Sequence, residues 1–153
     1  MGVLIKAECN CGFKKEEMAF GMGMKRIIAP AVCLNCKNII ELDYVLKYAY
    51  KCKKCKNDVV FYNNQHLQDW NGKNKKQVKI IDYFNIDFID NSFKWAAKDQ
   101  QLILSDEEAD EAFRKIRKES SINKKFTLYE INYLCPVCLK FTLKFTKIFG
   151  FWD

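Results

Sequence analysis

The eight cysteines of this 153-residue chain fall into four close pairs, a spacing typical of metal ligands. The pairs are Cys9/Cys11, Cys33/Cys36, Cys52/Cys55 and Cys135/Cys138. Structural zinc takes four ligands in a tetrahedron, and two sulfurs one or two residues apart can bind one ion from a tight turn. The sequence therefore predicts two structural Zn²⁺ ions, each held by four thiolates, with every cysteine used as a ligand.

Loop closure favours a pairing between cysteine pairs that are neighbours in the sequence. Short loops lose less entropy on closing than long ones. This predicts one site from the first two pairs and a second from the last two, although 79 residues separate Cys55 from Cys135. A crossed arrangement, as in cross-brace zinc folds, stays open: it joins the first pair to the third and the second pair to the fourth.

The sequence contains no recognisable set of catalytic residues. Four thiolates saturate zinc and leave no position for water or substrate. Cys135-Pro136-Val137-Cys138 has the spacing of a redox dithiol, but such dithiols rely on a helix N-terminus to lower the thiol pKa, and a strand is expected here. A thiol-disulfide oxidoreductase is therefore the third hypothesis. His66 is the single histidine and lies in a polar stretch without catalytic partners.

Alternating side chains predict strands beside the cysteine pairs. Phe141, Leu143 and Phe145 alternate with polar residues, and Val3, Ile5 and Ala7 do so more weakly. Further strands are expected at residues 78–81, 84–89 and 101–104. A capping box at Ser105 and Glu108, followed by an apolar stripe, predicts a helix to about Lys118.

These elements predict an α+β fold built from two Cys₄ zinc ribbons of short antiparallel strands. The first ribbon is expected at residues 1–50. The second is expected at 51–62 and 127–153, interrupted by a strand-and-helix insertion at 63–126. Structureless loops of that length are rare in compact domains. Because each ribbon is too short for a full core, folding is expected to require metal.

The charge of the chain is less basic than its composition indicates. Eight thiolates add −8 and two Zn²⁺ ions add +4, so that the formal charge of +7 becomes +3. Nucleic-acid binding, to RNA or single-stranded DNA and in association with ribosomes, is the second hypothesis. Its candidate residues are Lys51, Lys53, Lys54 and Lys56 with Tyr48, Tyr50 and Tyr62.

Several motifs resemble small bacterial zinc-ribbon proteins of uncharacterised function. They are an early cysteine pair followed by Gly12, the Gly21-Met22-Gly23-Met24 loop, the C-x-x-C ribbons, and a C-P-x-C strand ending in Gly150-Phe151-Trp152-Asp153. The resemblance covers residues 1–62 and 127–153 and implies metal-held ribbons without an established activity. The C-x-C spacing of the first pair and the insertion depart from that pattern.

The leading hypothesis is a non-enzymatic zinc protein that serves as an interaction module. Two zinc sites would hold a scaffold that binds a protein partner. Paired cysteines that act as metal ligands favour a reducing compartment, and the expected location is the cytoplasm. Apolar runs are short and broken by lysine, so no membrane span is expected. No small-molecule substrate is evident.

Overall fold

Strands dominate this protein. The computed structural model describes residues 2–22, 27–43, 50–85 and 125–152. One turn of 3₁₀ helix, Gln65–Leu67, is the only helical segment within these ranges. The strands there are β1 (Gly2–Cys9), β2 (Lys14–Met22), β3 (Ile27–Cys33), β4 (Asn38–Asp43), β5 (Val60–Phe61), β6 (Gln68–Asp69), β7 (Ile80–Asn85), β8 (Lys125–Tyr129), β9 (Asn132–Leu134) and β10 (Phe141–Trp152).

The α+β prediction is wrong, because the fold is nearly all β. Eight strands join in one antiparallel sheet that curls into a half-barrel. The apolar runs beside all four cysteine pairs contribute to this common sheet, so the strand signals combine across the chain. The helix predicted at 105–118 and the strand predicted at 101–104 lie outside the described residues. No helix in the described ranges is long and apolar enough to cross a bilayer.

The order of strands in the large sheet is β4-β3-β2-β1-β10-β9-β6, with β5 also paired to β3. β1 and β10 form the central antiparallel pair, which sets Ala7 opposite Phe145 and Cys9 opposite Leu143. The strands predicted around Val3–Ala7 and Phe141–Phe145 are confirmed. The pairing of β1 with β10 therefore joins the two ends of the described chain.

Aromatic rings fill the core beside β10. Tyr62, Tyr133 and Phe145 are buried and meet edge to face, with ring centroids 4.9 to 5.7 Å apart. The Tyr62 hydroxyl donates to the Leu134 carbonyl at 3.1 Å, and the Tyr133 hydroxyl donates to the Tyr129 carbonyl at 3.1 Å. Burial raises the pKa of both phenols, so they stay neutral hydrogen-bond donors.

A separate hairpin packs on the half-barrel. β7 and β8 pair with each other, which confirms a strand at Ile80 and Ile81. The next predicted strand, at residues 84–89, begins inside β7, which runs to Asn85, and residues 86–89 lie outside the described residues. Phe126 of β8 is buried between Phe20 of β2 and Phe61 of β5. This ring fixes the hairpin to the large sheet.

Candidate metal centres

The eight cysteines meet in two groups of four. Centre I consists of Cys9, Cys11, Cys135 and Cys138, and centre II consists of Cys33, Cys36, Cys52 and Cys55. Within each group, all four sulfur atoms lie within 4.8 Å of one another. The prediction that all eight cysteines form two groups of four is confirmed, although the members of each group differ from those predicted.

The spacing of the sulfurs fits a tetrahedral zinc ion. A Zn–S bond of about 2.3 Å gives a tetrahedron with sulfur-to-sulfur edges of about 3.8 Å. In centre I, Cys9 and Cys138 are 3.7 Å apart, and so are Cys11 and Cys135. In centre II, the corresponding distances are 3.5 Å for Cys33 to Cys55 and 3.8 Å for Cys36 to Cys52. Both sets are therefore shaped for a four-coordinate ion that favours thiolates.

The predicted pairing of neighbouring cysteine pairs is wrong, and so is the crossed alternative. The arrangement is nested: the first pair meets the fourth, and the second pair meets the third. Loop entropy does not decide the pairing, because the metal is not the element that closes the long loop. The antiparallel pairing of β1 with β10 already brings Cys9 next to Leu143, so the metal adds little further closure.

Local strand pairing also assembles centre II. The turn between β3 and β4 carries the second cysteine pair, with Cys33 opposite Asn38. β5 pairs with β3, setting Val60 opposite Val32, and this places the third pair beside the second. Each centre therefore lies where two turns meet at the ends of paired strands.

The backbone makes the same turn at three of the four cysteine pairs. The N–H group of the residue after the second cysteine donates to the carbonyl of the first: Gly12 to Cys9 at 3.0 Å, Lys56 to Cys52 at 2.9 Å and Leu139 to Cys135 at 3.0 Å. That residue has positive φ in every pair: 96° at Gly12, 51° at Lys37, 64° at Lys56 and 55° at Leu139. The C-x-C pair thus closes the same turn one residue shorter, with glycine at the left-handed position.

Backbone N–H groups and neighbouring thiols separate the cysteine pKa values. The N–H group of Asn57 lowers the pKa of Cys55 to about 6. The N–H group of Lys140, helped by the Thr142 hydroxyl, lowers that of Cys138 to about 6. A hydrogen bond with the Cys55 side chain raises the pKa of Cys36 to about 12. Burial raises the pKa of Cys135 to about 12. The pKa of Cys9 in centre I and that of Cys52 in centre II are lowered as well, so each centre has two thiols with a lowered pKa. A bound cation would favour ionisation of all four.

Exposed lysines are concentrated in the sequence around centre II. Lys37, Lys51, Lys53, Lys54 and Lys56 all flank its cysteines and are exposed. Lys51 also pairs with Asp58. Four thiolates around Zn²⁺ carry a net charge of −2, which these lysines offset in part.

Thr142 is a further candidate residue at centre I, one that the cysteine spacing alone does not identify. Its hydroxyl oxygen lies 3.0 Å from the Cys9 sulfur and 3.7 Å from that of Cys138. Metal-bound thiolates carry no proton, so beside a loaded centre this hydroxyl would be the hydrogen-bond donor. The signal in the sequence was its place four residues after Cys138, on the strand that leaves the turn.

Replacing Thr142 with valine should weaken zinc binding at centre I while keeping the side-chain shape. Loss of such a supporting hydrogen bond typically costs a metal site about 10- to 100-fold in affinity. Competition with a chelator of known affinity measures the effect. Thr146→Val, at an exposed position on the same strand, is the control and should leave both centres unchanged. Equal zinc affinity in the two variants would contradict a role for the Thr142 hydroxyl.

His66 lies in neither cysteine group. It is exposed on the 3₁₀ turn, where its backbone N–H group donates to the Asn64 side-chain oxygen at 2.9 Å.

The three tyrosines suggested for base stacking lie in different environments. Tyr62 is buried, Tyr50 packs its ring edge to face on Phe61, and Tyr48 lies outside the described residues.

Comparison with protein-family models, curated proteins and solved structures gave no match for this chain. Of the resemblance to bacterial zinc-ribbon proteins, the structure supports the coarser part: two groups of four cysteines are positioned to bind metal. The geometry supports two structural metal centres, for which zinc is a plausible ion.

Proposed function

We propose that this chain is a non-enzymatic zinc protein whose two metal centres hold a β scaffold for binding a protein partner. The observation that carries this proposal is that both centres have a complete set of four cysteine ligands. All eight cysteines enter four-sulfur groups with edges that suit tetrahedral zinc. An ion bound in this way has no open position for a substrate, so its contribution is to structure.

The fourth cysteine pair offers the contact surface. Three apolar side chains around it are exposed: Val137 by 43%, Leu139 by 61% and Phe141 by 39%. We call these three residues the fourth-turn patch. Exposed apolar groups held on a rigid turn are typical of protein-binding sites. At the Cys52/Cys55 turn, the corresponding residues are charged: Lys54, Lys56 and Asp58. That turn therefore lacks the patch.

Leu139 gives the strongest support for a binding role of the patch. It has positive φ, a conformation that favours glycine over residues with a Cβ. The corresponding residues of the other three pairs are Gly12, Lys37 and Lys56. A leucine here adds backbone strain and exposes apolar surface, and neither stabilises the isolated chain. Contact with a partner would bury that surface.

The test is a comparison of two leucine variants in a partner search. Zinc-loaded wild type, Leu139→Asp and Leu34→Asp are used as bait in extract from the organism that makes the protein. Leu34 is 47% exposed on the turn of the second pair and is the matched control. We expect a partner that binds wild type and Leu34→Asp equally well. The amount of this partner captured by Leu139→Asp should be at least tenfold lower, although every bait holds two zinc ions per chain.

Two results would contradict this function. A partner held equally by Leu139→Asp would exclude the fourth-turn patch as the docking surface. A partner held equally by wild type after chelation, with both ions removed, would exclude the scaffold role of the metal.

Nucleic-acid binding is the second candidate, favoured by the five lysines around centre II. Phosphate contacts weaken steeply with salt, with a logarithmic slope close to −0.7 per contact on single strands. The double variant Lys53→Glu/Lys54→Glu should reduce that slope if these lysines touch phosphate. If the protein bound neither single-stranded RNA nor single-stranded DNA at physiological salt, nucleic-acid binding would be excluded as its function.

A further inference from the structure

The two metal centres differ in the exposure of their cysteines. All eight cysteines lie in the described ranges, and Cys11 of centre I is the one that is exposed. In the same centre, Cys9 and Cys135 are buried and Cys138 is half-buried. Centre II has two buried and two half-buried cysteines. A thiolate reacts with an oxidant only where the oxidant can reach it, so centre I has the more accessible ligand.

The short turn of the first cysteine pair leaves Cys11 uncovered. Its neighbours Asn10 and Gly12 are exposed as well. A Cβ atom added to Gly12 would meet no atom of the described residues within 4 Å. A small neutral oxidant such as hydrogen peroxide can therefore approach Cys11 without displacing a side chain.

A buried sulfur lies in contact with this exposed one. The Sγ atoms of Cys11 and Cys135 are 3.7 Å apart. Closing that distance to the disulfide length of about 2.05 Å takes a movement of about 1.7 Å. Cys135 is 0% exposed, so an oxidant meets Cys11 first. Burial thus makes Cys11 the sulfur that is attacked and Cys135 the sulfur that reacts with its oxidised form.

The charges around the two centres differ in the same direction. The residues beside Cys11, Asn10 and Gly12, are uncharged. The cysteines of centre II are flanked by five lysines, at positions 37, 51, 53, 54 and 56. Cations that stabilise a thiolate also lower its intrinsic nucleophilicity. Access and electron density therefore both favour reaction at centre I.

We propose that Cys11 is an oxidation site for hydrogen peroxide, and that its disulfide with Cys135 releases zinc from centre I while centre II keeps its ion. The Cys11 thiolate attacks one peroxide oxygen, the O–O bond breaks, and a sulfenic acid forms with loss of hydroxide. The Cys135 thiolate then attacks the Cys11 sulfur, and the S–S bond forms as a second hydroxide leaves. The two sulfurs give up two electrons, which reduce one peroxide to two hydroxide ions.

The oxidation changes centre I and leaves the sheet in place. Cys9 and Cys138 are then the only thiolates left in that centre, too few for a structural zinc site. Centre II shares no ligand with it. The pairing of β1 with β10, which sets Ala7 opposite Phe145, needs no metal ligand. The effect of oxidation is therefore local to the turns that carry the four cysteines.

These turns include the surface proposed for partner binding, so oxidation would regulate that surface. The fourth-turn patch has Val137 between Cys135 and Cys138, with Leu139 directly after them. Loss of zinc frees Cys138, and the patch is then no longer held on a rigid turn. This step rests on the proposed function. The oxidation itself is measured on purified protein without a partner, so either proposal can fail while the other stands.

The experiment adds an equimolar amount of hydrogen peroxide to the zinc-loaded full chain and follows zinc release with a coloured chelator. We expect one ion to leave before the second. Trypsin digestion at that point should give residues 7–14 linked to residues 126–140, and fragmentation should locate the disulfide at Cys11 and Cys135. A dithiol reductant with added zinc should restore two ions per chain.

Two variants that each keep one centre provide the matched comparison. Cys55→Ser retains centre I, and Cys138→Ser retains centre II. In excess peroxide, the remaining ion should leave Cys55→Ser about ten times as fast as it leaves Cys138→Ser, or faster. Equal rates, or faster loss from centre II, would overturn the proposal. A first disulfide in wild type that does not join Cys11 to Cys135 would also overturn it, and that result does not depend on the folding of either variant.

Discussion

Replacing Cys138 with serine should release one zinc ion, and the loss should be confined to centre I. The remaining three sulfurs cannot complete the tetrahedron, while centre II shares no ligand with them. A structural zinc site contributes ~10–16 kcal/mol in small zinc-finger peptides at pH 7. The fall in stability here should be smaller than that, because β1 remains paired with β10. Native mass spectrometry counts the ions, and Cys55→Ser should release one ion from centre II.

Two double variants distinguish the nested pairing from both alternatives. Cys11→Ser/Cys138→Ser should lose one ion, since both residues belong to centre I, and Cys55→Ser/Cys138→Ser should lose two. Pairing of neighbours would reverse these counts. The crossed arrangement would release two ions from each double variant. One ion lost by the first variant and two by the second is therefore a result that the nested arrangement alone predicts.

The nested pairing gives the two centres different structural tasks. Centre II joins cysteine pairs that are close in the chain, and it fastens the β3–β4 turn to the segment that leads into β5. Centre I joins Cys9 to Cys138, which lie 129 positions apart, at a place where strands already meet. Centre II therefore connects two neighbouring turns, whereas centre I stabilises a long-range contact that the pairing of β1 with β10 already forms.

The metal ligands could be predicted from the sequence because their signal is local. A pair such as Cys52/Cys55 needs only a tight turn to present two sulfurs, so spacing alone identifies it. The pairing of the pairs is not local. It depends on which strands become neighbours, and alternation at Phe141–Phe145 identifies a strand without naming its partner. Thr142 was missed for the same reason, since its role requires Cys9 on the adjacent strand.

The fold class could not be predicted because the strongest local signal lay in a small part of the chain. The sequence pattern of a capping box at Ser105 and Glu108 is clear, yet these residues lie outside the described ranges. The weak strand signal near Val3, by contrast, belongs to a sheet of eight strands in the described residues. Such a sheet gains stability by burying a common face, and no single window of sequence shows that gain.

Phe126→Ala should cause a large loss of stability that does not depend on metal ligands. The side chain is 1% exposed, and its ring lies 5.8 Å from that of Phe20 and 5.7 Å from that of Phe61. Removing a buried phenylalanine ring typically costs 3–5 kcal/mol, because apolar contact is lost and a cavity remains. Urea unfolding of the zinc-loaded protein measures the effect.

Ile80→Ala is the matched control on the same hairpin. Ile80 is 52% exposed, so its truncation should change the free energy of unfolding by about 0.5 kcal/mol or less, as at other surface positions. Both variants should keep two zinc ions at low urea, since neither touches a cysteine. If Phe126→Ala were as stable as Ile80→Ala, the β7–β8 hairpin would not be packed on the half-barrel. The metal centres would then carry most of the stability that the structure assigns to the core.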